Sequence, residues 1–215
     1  MTYLQLVNAV LRKLREEQVT TVAESDYSQL IGDLVNDAKQ LVEDSWDWTA
    51  LRSTKTITTV AGTATYSLTD FGQRSKIYYA HNETDNTKLY QESLARIREM
   101  NLGTDNAQGV PVYFAVNGTD SNGDVQITLY QTPNAVKTLS VYGLKRPAAL
   151  ENDSDELLIP SQPVVQWAYS YALRERGETG GDSGAEQAIF AKNDLATAIS
   201  LDANNHPEEL IWDTV

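Results

Sequence analysis

The chain has 215 residues, with 30 Asp and Glu against 17 Lys and Arg, a formal net charge of −13, two His and no Cys. A chain of this length buries roughly 70% of its unfolded surface and needs neither disulfides nor a metal to fold; the lack of Cys excludes disulfide frameworks, thiolate metal sites and Cys nucleophiles together. With 41% hydrophobic residues, four Trp, eleven Tyr and three Phe, the composition is that of a globular protein rather than a disordered acidic tail.

The N-terminus, Met1-Thr2-Tyr3-Leu4-Gln5, lacks the basic and apolar regions of a secretion signal. Leu6, Val7, Val10, Leu11 and Leu14 recur at helical spacing and predict a first helix over 2–16. Ser25 is the expected N-cap of a second helix, with Asp26 in its first turn and a stripe from Tyr27 through Val42 that ends near Trp46. Thr54 to Val60, then Ala61-Gly62, then Ala64 to Leu68 has the pattern of a β-hairpin. Strands are expected at 76–81, 88–90 and 112–116, with a short helix at 92–100 between the last two. Asn122-Gly123 marks a tight turn, followed by alternating strands at 125–130 and 138–142.

The period returns to helical after Pro160, with Ser161 as a possible cap and Pro163 in the first turn. Val164, Trp167, Ala168, Tyr171 and Ala172 form one stripe, and Val165, Tyr169 and Leu173 a second, so this helix is expected to be buried on two sides. Residues 157–173, the longest apolar-leaning uncharged stretch, are broken by two prolines and several polar residues and cannot span a membrane. A soluble protein is expected. Gly177, Gly180, Gly181 and Gly184 then lead to a last helix over 185–203.

Charge follows the same partition. Residues 1–50 hold 9 acids and 4 bases (−5), 51–150 hold 8 and 10 (+2), and 151–215 hold 13 and 3 (−10). The expected fold class is α+β: a four-helix-type bundle from the N- and C-terminal segments, 1–50 and 148–205, with an antiparallel β-rich insertion at 51–147 and a tail at 206–215.

Candidates for chemistry each meet a structural alternative. The glycines at 177–184 lack the Gly-Lys-Ser/Thr and preceding strand of a phosphate loop and read as a connector. Asp120, Asn122 and Asp124 open like a calcium loop, yet Val125 stands where Gly is needed and Gln131 where Glu is needed. Asp153, Asp155 and Glu156 read as a solvated acidic loop. His81 and His206 have no ligand neighbour at metal spacing, and no Gly-x-Ser-x-Gly elbow occurs. Trp46, Trp48 and Trp167 fit core packing. Glu43 and Asp47 lie one turn apart, as an acid/base pair would, but 30 acids make such pairs common by chance. Neither a cofactor nor an enzyme activity is expected.

Several segments in this order carry a resemblance: LIGDLVNDAKQLVEDSWDW at 30–48, GTATYSL at 62–68, GVPVYF at 109–114, LYQTPNAVKTLSVYGLKRPAAL at 129–150 and LLIPSQPVVQWAYSYALRERGE at 157–178. Together they resemble the head-to-tail adaptor, or connector, proteins of tailed bacteriophages, of the portal-adaptor or tail-tubular type. The resemblance implies a virion protein of the head–tail junction, present in the host cytoplasm during assembly. It would form a homo-oligomeric ring of about twelve copies beneath the portal protein, extend the double-stranded DNA channel without specific binding, and offer a platform to the next tail component, a nozzle or tube protein. The acidic ends agree with this, because a wall of negative charge does not hold the phosphate backbone. Glu43, Asp44 and Asp47 are accordingly expected to face the channel.

The tail, His206-Pro207-Glu208-Glu209-Leu210-Ile211-Trp212-Asp213-Thr214-Val215, carries an apolar cluster flanked by acids. Leu210, Ile211 and Trp212 are expected either to fold back on the bundle or to dock on the portal or a neighbouring subunit. Two rival functions remain open at this point: a tail-associated hydrolase of cell-wall glycans using the Glu43/Asp47 pair, and an acidic DNA-mimic module that captures a basic partner.

Overall fold

The structure, a computed structural model, describes residues 1–102, 108–177 and 183–206. The chain is α+β and divides into two compact units, one made of Met1–Ala50 with Ala148–Val215 and the other of Leu51–Pro147. Among the described residues there are five α-helices and a large, mostly antiparallel sheet.

The first unit is helical. Helix α1 (Tyr3–Lys13) opens with a reciprocal cap between Thr2 and Gln5 and buries Tyr3, Leu6, Val7, Val10 and Leu11. It stops short of residue 16, because Arg15 turns to φ 60° and the Glu16 N–H reaches back to the Leu11 carbonyl. Helix α2 (Asp26–Ser45) is capped by Ser25, whose side chain accepts from the Ser28 N–H while Ser28 Oγ accepts from the Ser25 N–H. Its buried face includes Ile31, Gly32, Val35, Ala38 and Val42. Gly32 is required by close approach, since a Cβ there would collide with the Tyr3 hydroxyl.

Downstream, α4 (Ser161–Glu175) is capped by Pro160, so Ser161 is its first helical residue and not its cap. It packs against α1, α2 and α5 (Ser183–Ala203), which explains its two apolar stripes within the subunit. Helix α5 has its main contact with α4, so the helices are organised around α4 rather than as the four mutually adjacent members of a square bundle.

Because this unit is built from two distant pieces of chain, polar clamps join them. Met1 and Tyr3 exchange backbone hydrogen bonds with Leu157 and Asp155 at 3.0 and 2.9 Å. The Asn36 amide grips Leu150 at both its N–H (2.8 Å) and its carbonyl (3.0 Å). Lys39 Nζ donates to the Ala148 carbonyl at 2.9 Å, and Asp153 accepts from the Val22 N–H at 2.9 Å.

The second unit is a seven-stranded sheet made from β1 (Arg52–Thr58), β2 (Thr65–Gly72), β3 (Lys76–Asn82), β4 (Thr87–Gln91), β6 (Tyr113–Thr119), β7 (Asp124–Tyr130) and β9 (Thr138–Leu144). Two-residue strands β5 (Gln108–Gly109) and β8 (Thr132–Pro133) pair separately. The order is β1-β9-β3-β4-β6-β7-β2. The expected hairpin of β1 with β2 does not form. Turn residues between two strands permit a hairpin but do not choose the partner; here β1 takes seven registered pairs with β9, and β2 pairs with β7.

The two strands instead become opposite edges of a sheet that curls over a shared core. Ile57 of β1 and Leu68 and Phe71 of β2 lie in one apolar cluster with Leu89, Phe114, Ile127, Leu129, Leu139 and Val141. Helix α3 (Leu94–Leu102) links β4 to β6, the parallel neighbours of the sheet, and buries Ile97. Gly143 is needed in β9, because a Cβ there would strike the Lys76 carbonyl of the neighbouring strand. At the open end of the unit the Lys145 N–H donates to the Leu51 carbonyl at 2.9 Å.

Candidate functional site

The acidic residues of α2 separate into two kinds. Asp26, Asp33, Asp37 and Asp44 are spaced seven, four and seven residues apart, which puts them on one line along the helix, and all four are exposed. Glu43 sits on the other side. It is 1% exposed and pairs with Lys39 at 2.8 Å, itself 3% exposed. The expectation that Glu43 faces a channel is therefore corrected: one residue along a helix turns the side chain by about 100°, and Val42, Glu43 and Lys39 fall on the inward face. A burial this deep is tolerated because the cation is supplied one turn away and also satisfies the Ala148 carbonyl.

Of the Glu43/Asp47 pair, Glu43 is held in a buried ion pair with Lys39 while Asp47 is half-exposed. Leu210, Ile211 and Trp212, together with most of the glycine segment at 178–182, lie outside the described residues. Gly177, at φ 70°, ends α4 with its N–H on the Arg174 carbonyl.

The other candidates resolve into local structure. Asp120 accepts from the N–H groups of Asn122 (2.8 Å) and Asp124 (3.0 Å), which makes the calcium-like motif the turn between β6 and β7. The Ser67 hydroxyl, with those backbone donors, holds its carboxyl below the usual carboxylate range. Asp153 is lowered by the Thr21 hydroxyl and the Val22 N–H, and Asp155 by the N–H groups of Asn152 and Glu151. Among the described residues no group of three His, Asp or Glu could hold a metal ion. His81 pairs with Glu83 at 3.4 Å, and Trp48 is buried with its indole N–H on the Val42 carbonyl at 2.8 Å.

Two clusters carry no signal of their own in the sequence. The first centres on Asp202 near the end of α5, whose Oδ2 accepts from Trp46 Nε1 (2.9 Å) and the Thr49 N–H (3.0 Å) and lies 3.3 Å from His206 Nε2. Burial alone would raise the Asp202 pKa, but these donors outweigh it and hold the carboxyl low. The second is an aromatic row on the face of the sheet opposite its core. Tyr142, Tyr79, Tyr90, Tyr113 and Tyr130 follow one another across β9, β3, β4, β6 and β7, with Lys88 between Tyr79 and Tyr90. Neither cluster has a spacing pattern, because each is assembled by pairing between distant strands or helices.

The sequence model of the SU10 adaptor protein family matches residues 1–208. The chain belongs to the SU10 adaptor protein family. No curated protein matches it. As an SU10 adaptor it is a structural component of a bacteriophage virion, and membership implies association with portal and tail proteins. The adaptor family points to a structural role rather than a catalytic one. Among the described residues no helix is long and apolar enough to cross a membrane.

Proposed function

We propose that this adaptor is of the portal-adaptor or tail-tubular type and assembles as a ring of about twelve copies beneath the portal. The ring continues the DNA channel at the head–tail junction and presents a platform for the nozzle or tube protein below, having assembled in the host cytoplasm. The observation that carries this reading is the family match across residues 1–208. The line of Asp26, Asp33, Asp37 and Asp44 along α2 supports it: such a stripe, with Asp47 beside its end, repels the phosphate backbone and lets double-stranded DNA pass unbound. In this reading Asp44 and Asp47 are lumenal, and Leu210, Ile211 and Trp212 dock on the portal or a neighbouring subunit.

Light scattering and negative-stain imaging of the full chain, alone and mixed with portal protein, test the assembly. A closed ring stacked on the portal is the expected result. Failure to form any complex with portal would end the reading. The triple variant Asp33→Lys, Asp37→Lys, Asp44→Lys should leave the ring intact and make it retain DNA in a salt-dependent way; rings of this variant that release DNA as freely as wild type would remove the lumenal assignment.

A further inference from the structure

The tyrosine row of the β-rich unit is a second surface with definite chemistry. Tyr79 and Tyr142 stack on each other at 4.5 Å with 21° between their planes, and Tyr113 and Tyr130 lie within 27° of parallel at 6.3 Å. Lys88 lies among them, its Nζ 5.6 Å from the Tyr79 ring centre and 5.9 Å from that of Tyr90. The row offers aromatic surface, phenol hydroxyls and an ammonium group, on side chains that lose little entropy when covered; Tyr90 is 57% and Tyr79 41% exposed.

Such a surface fits a protein partner rich in carboxylates, and the chain carries one. Residues 1–50 and 148–215 together hold 22 acids and 7 bases, against 8 and 10 in residues 51–147. We infer that the tyrosine row with Lys88 is the receiving half of a head-to-tail contact whose occupant is the acidic helical unit of a second copy. The inference rests on the ring reading and adds which surfaces make the ring. Charge gives the contact its direction: helical unit against helical unit is repulsive, whereas the sheet face against a helical unit is attractive. A two-fold contact through the row would set Lys88 against Lys88. A contact between two different surfaces of identical chains is heterologous, and it closes into a ring when the rotation allows.

The test uses the full chain with Tyr90 replaced by a photo-reactive benzoylphenylalanine, irradiated alone and on portal. The expected product is a copy-to-copy crosslink whose second peptide maps to residues 1–50 or 148–215. In parallel, Lys88→Glu should weaken assembly about tenfold, and Tyr90→Ser should do so to a smaller degree, both with unchanged circular dichroism. Crosslinking to residues 51–147 of the second copy, or to portal alone, would overturn the inference and leave the ring standing. So would full-strength assembly of both variants. The absence of any ring, alone or with portal, would overturn both readings.

Discussion

The two units solve the same problem of ordering a chain in different ways. The β-rich unit is one continuous segment held by registered ladders around a single apolar cluster. The helical unit is made of two segments separated by almost a hundred residues, and its apolar stripes are reinforced by polar clamps: Asn36 on Leu150, Lys39 on Ala148, Asp153 on Val22, and Asp202 on Trp46 and Thr49. The lesson is that apolar periodicity orders each piece, while hydrogen bonds of specific direction select which distant piece it meets.

The division makes distinct demands on mutants, and the tryptophans separate them, because Trp46, Trp48, Trp167 and Trp212 all belong to the helical unit. The largest effect is expected from Phe114→Ala, fully buried in the sheet core, at about 3–5 kcal/mol. It should lower the hydrogen-exchange protection of the amides in residues 51–147 and leave the transition seen by tryptophan fluorescence in place. Equal shifts in both would break the comparison. Lys39→Met should do the reverse. It takes away the cation paired with the buried Glu43 carboxylate and is expected to cost about 3–5 kcal/mol in the fluorescence transition, most of it recovered when Glu43→Leu is added. If the double variant stayed as unstable as the single one, the clamp would matter more than the charge.

Gly143→Ala is a smaller and purely steric probe. Its Cβ would press on the Lys76 carbonyl and should destabilise the β-rich unit by about 1–3 kcal/mol, seen as a lower midpoint in urea with tryptophan emission unmoved.

The smallest effect concerns pH. Asp153, Asp155 and Asp202 have folded pKa values held below the usual carboxylate range. Their stabilisation is thus complete above the unfolded value of about 4 and is lost as pH falls through the lower folded values. Tryptophan-monitored stability should therefore be flat from neutral pH to about pH 5 and decline below about 4. Asp202→Asn should flatten part of that decline, and an unchanged acid limb in this variant would show that the Asp202 cluster is not titrating as described.

Much of the molecule was legible from period and caps. Ser25, the stripes of α2 and α4, and the alternation through β7 and β9 mark their own elements because each is a local pattern repeated along the chain. The partner of β1 was not legible: the Ala61-Gly62 turn favours β2, and the actual ladder to β9 depends on a core that exists only after the sheet curls. The end of α1 at Lys13 depends on Arg15 entering a left-handed conformation, which no composition rule foretells. For the site, the net acidity of the helical ends was visible, but the sorting of Glu43 inward and Asp44 outward is a matter of one residue's rotation. The tyrosine row was invisible because its members are scattered over five strands.

The single hydrogen bond between the Leu51 carbonyl and the Lys145 N–H has a consequence for how such a protein changes over time. It brings the first residue of the β-rich segment beside the third from its end, so the segment leaves and returns through one narrow opening in the chain. A different domain with adjacent ends could be spliced into that opening with little extra closure entropy, while the helical frame kept its clamps. Lineages could then exchange the β-rich unit without redesigning the helical frame.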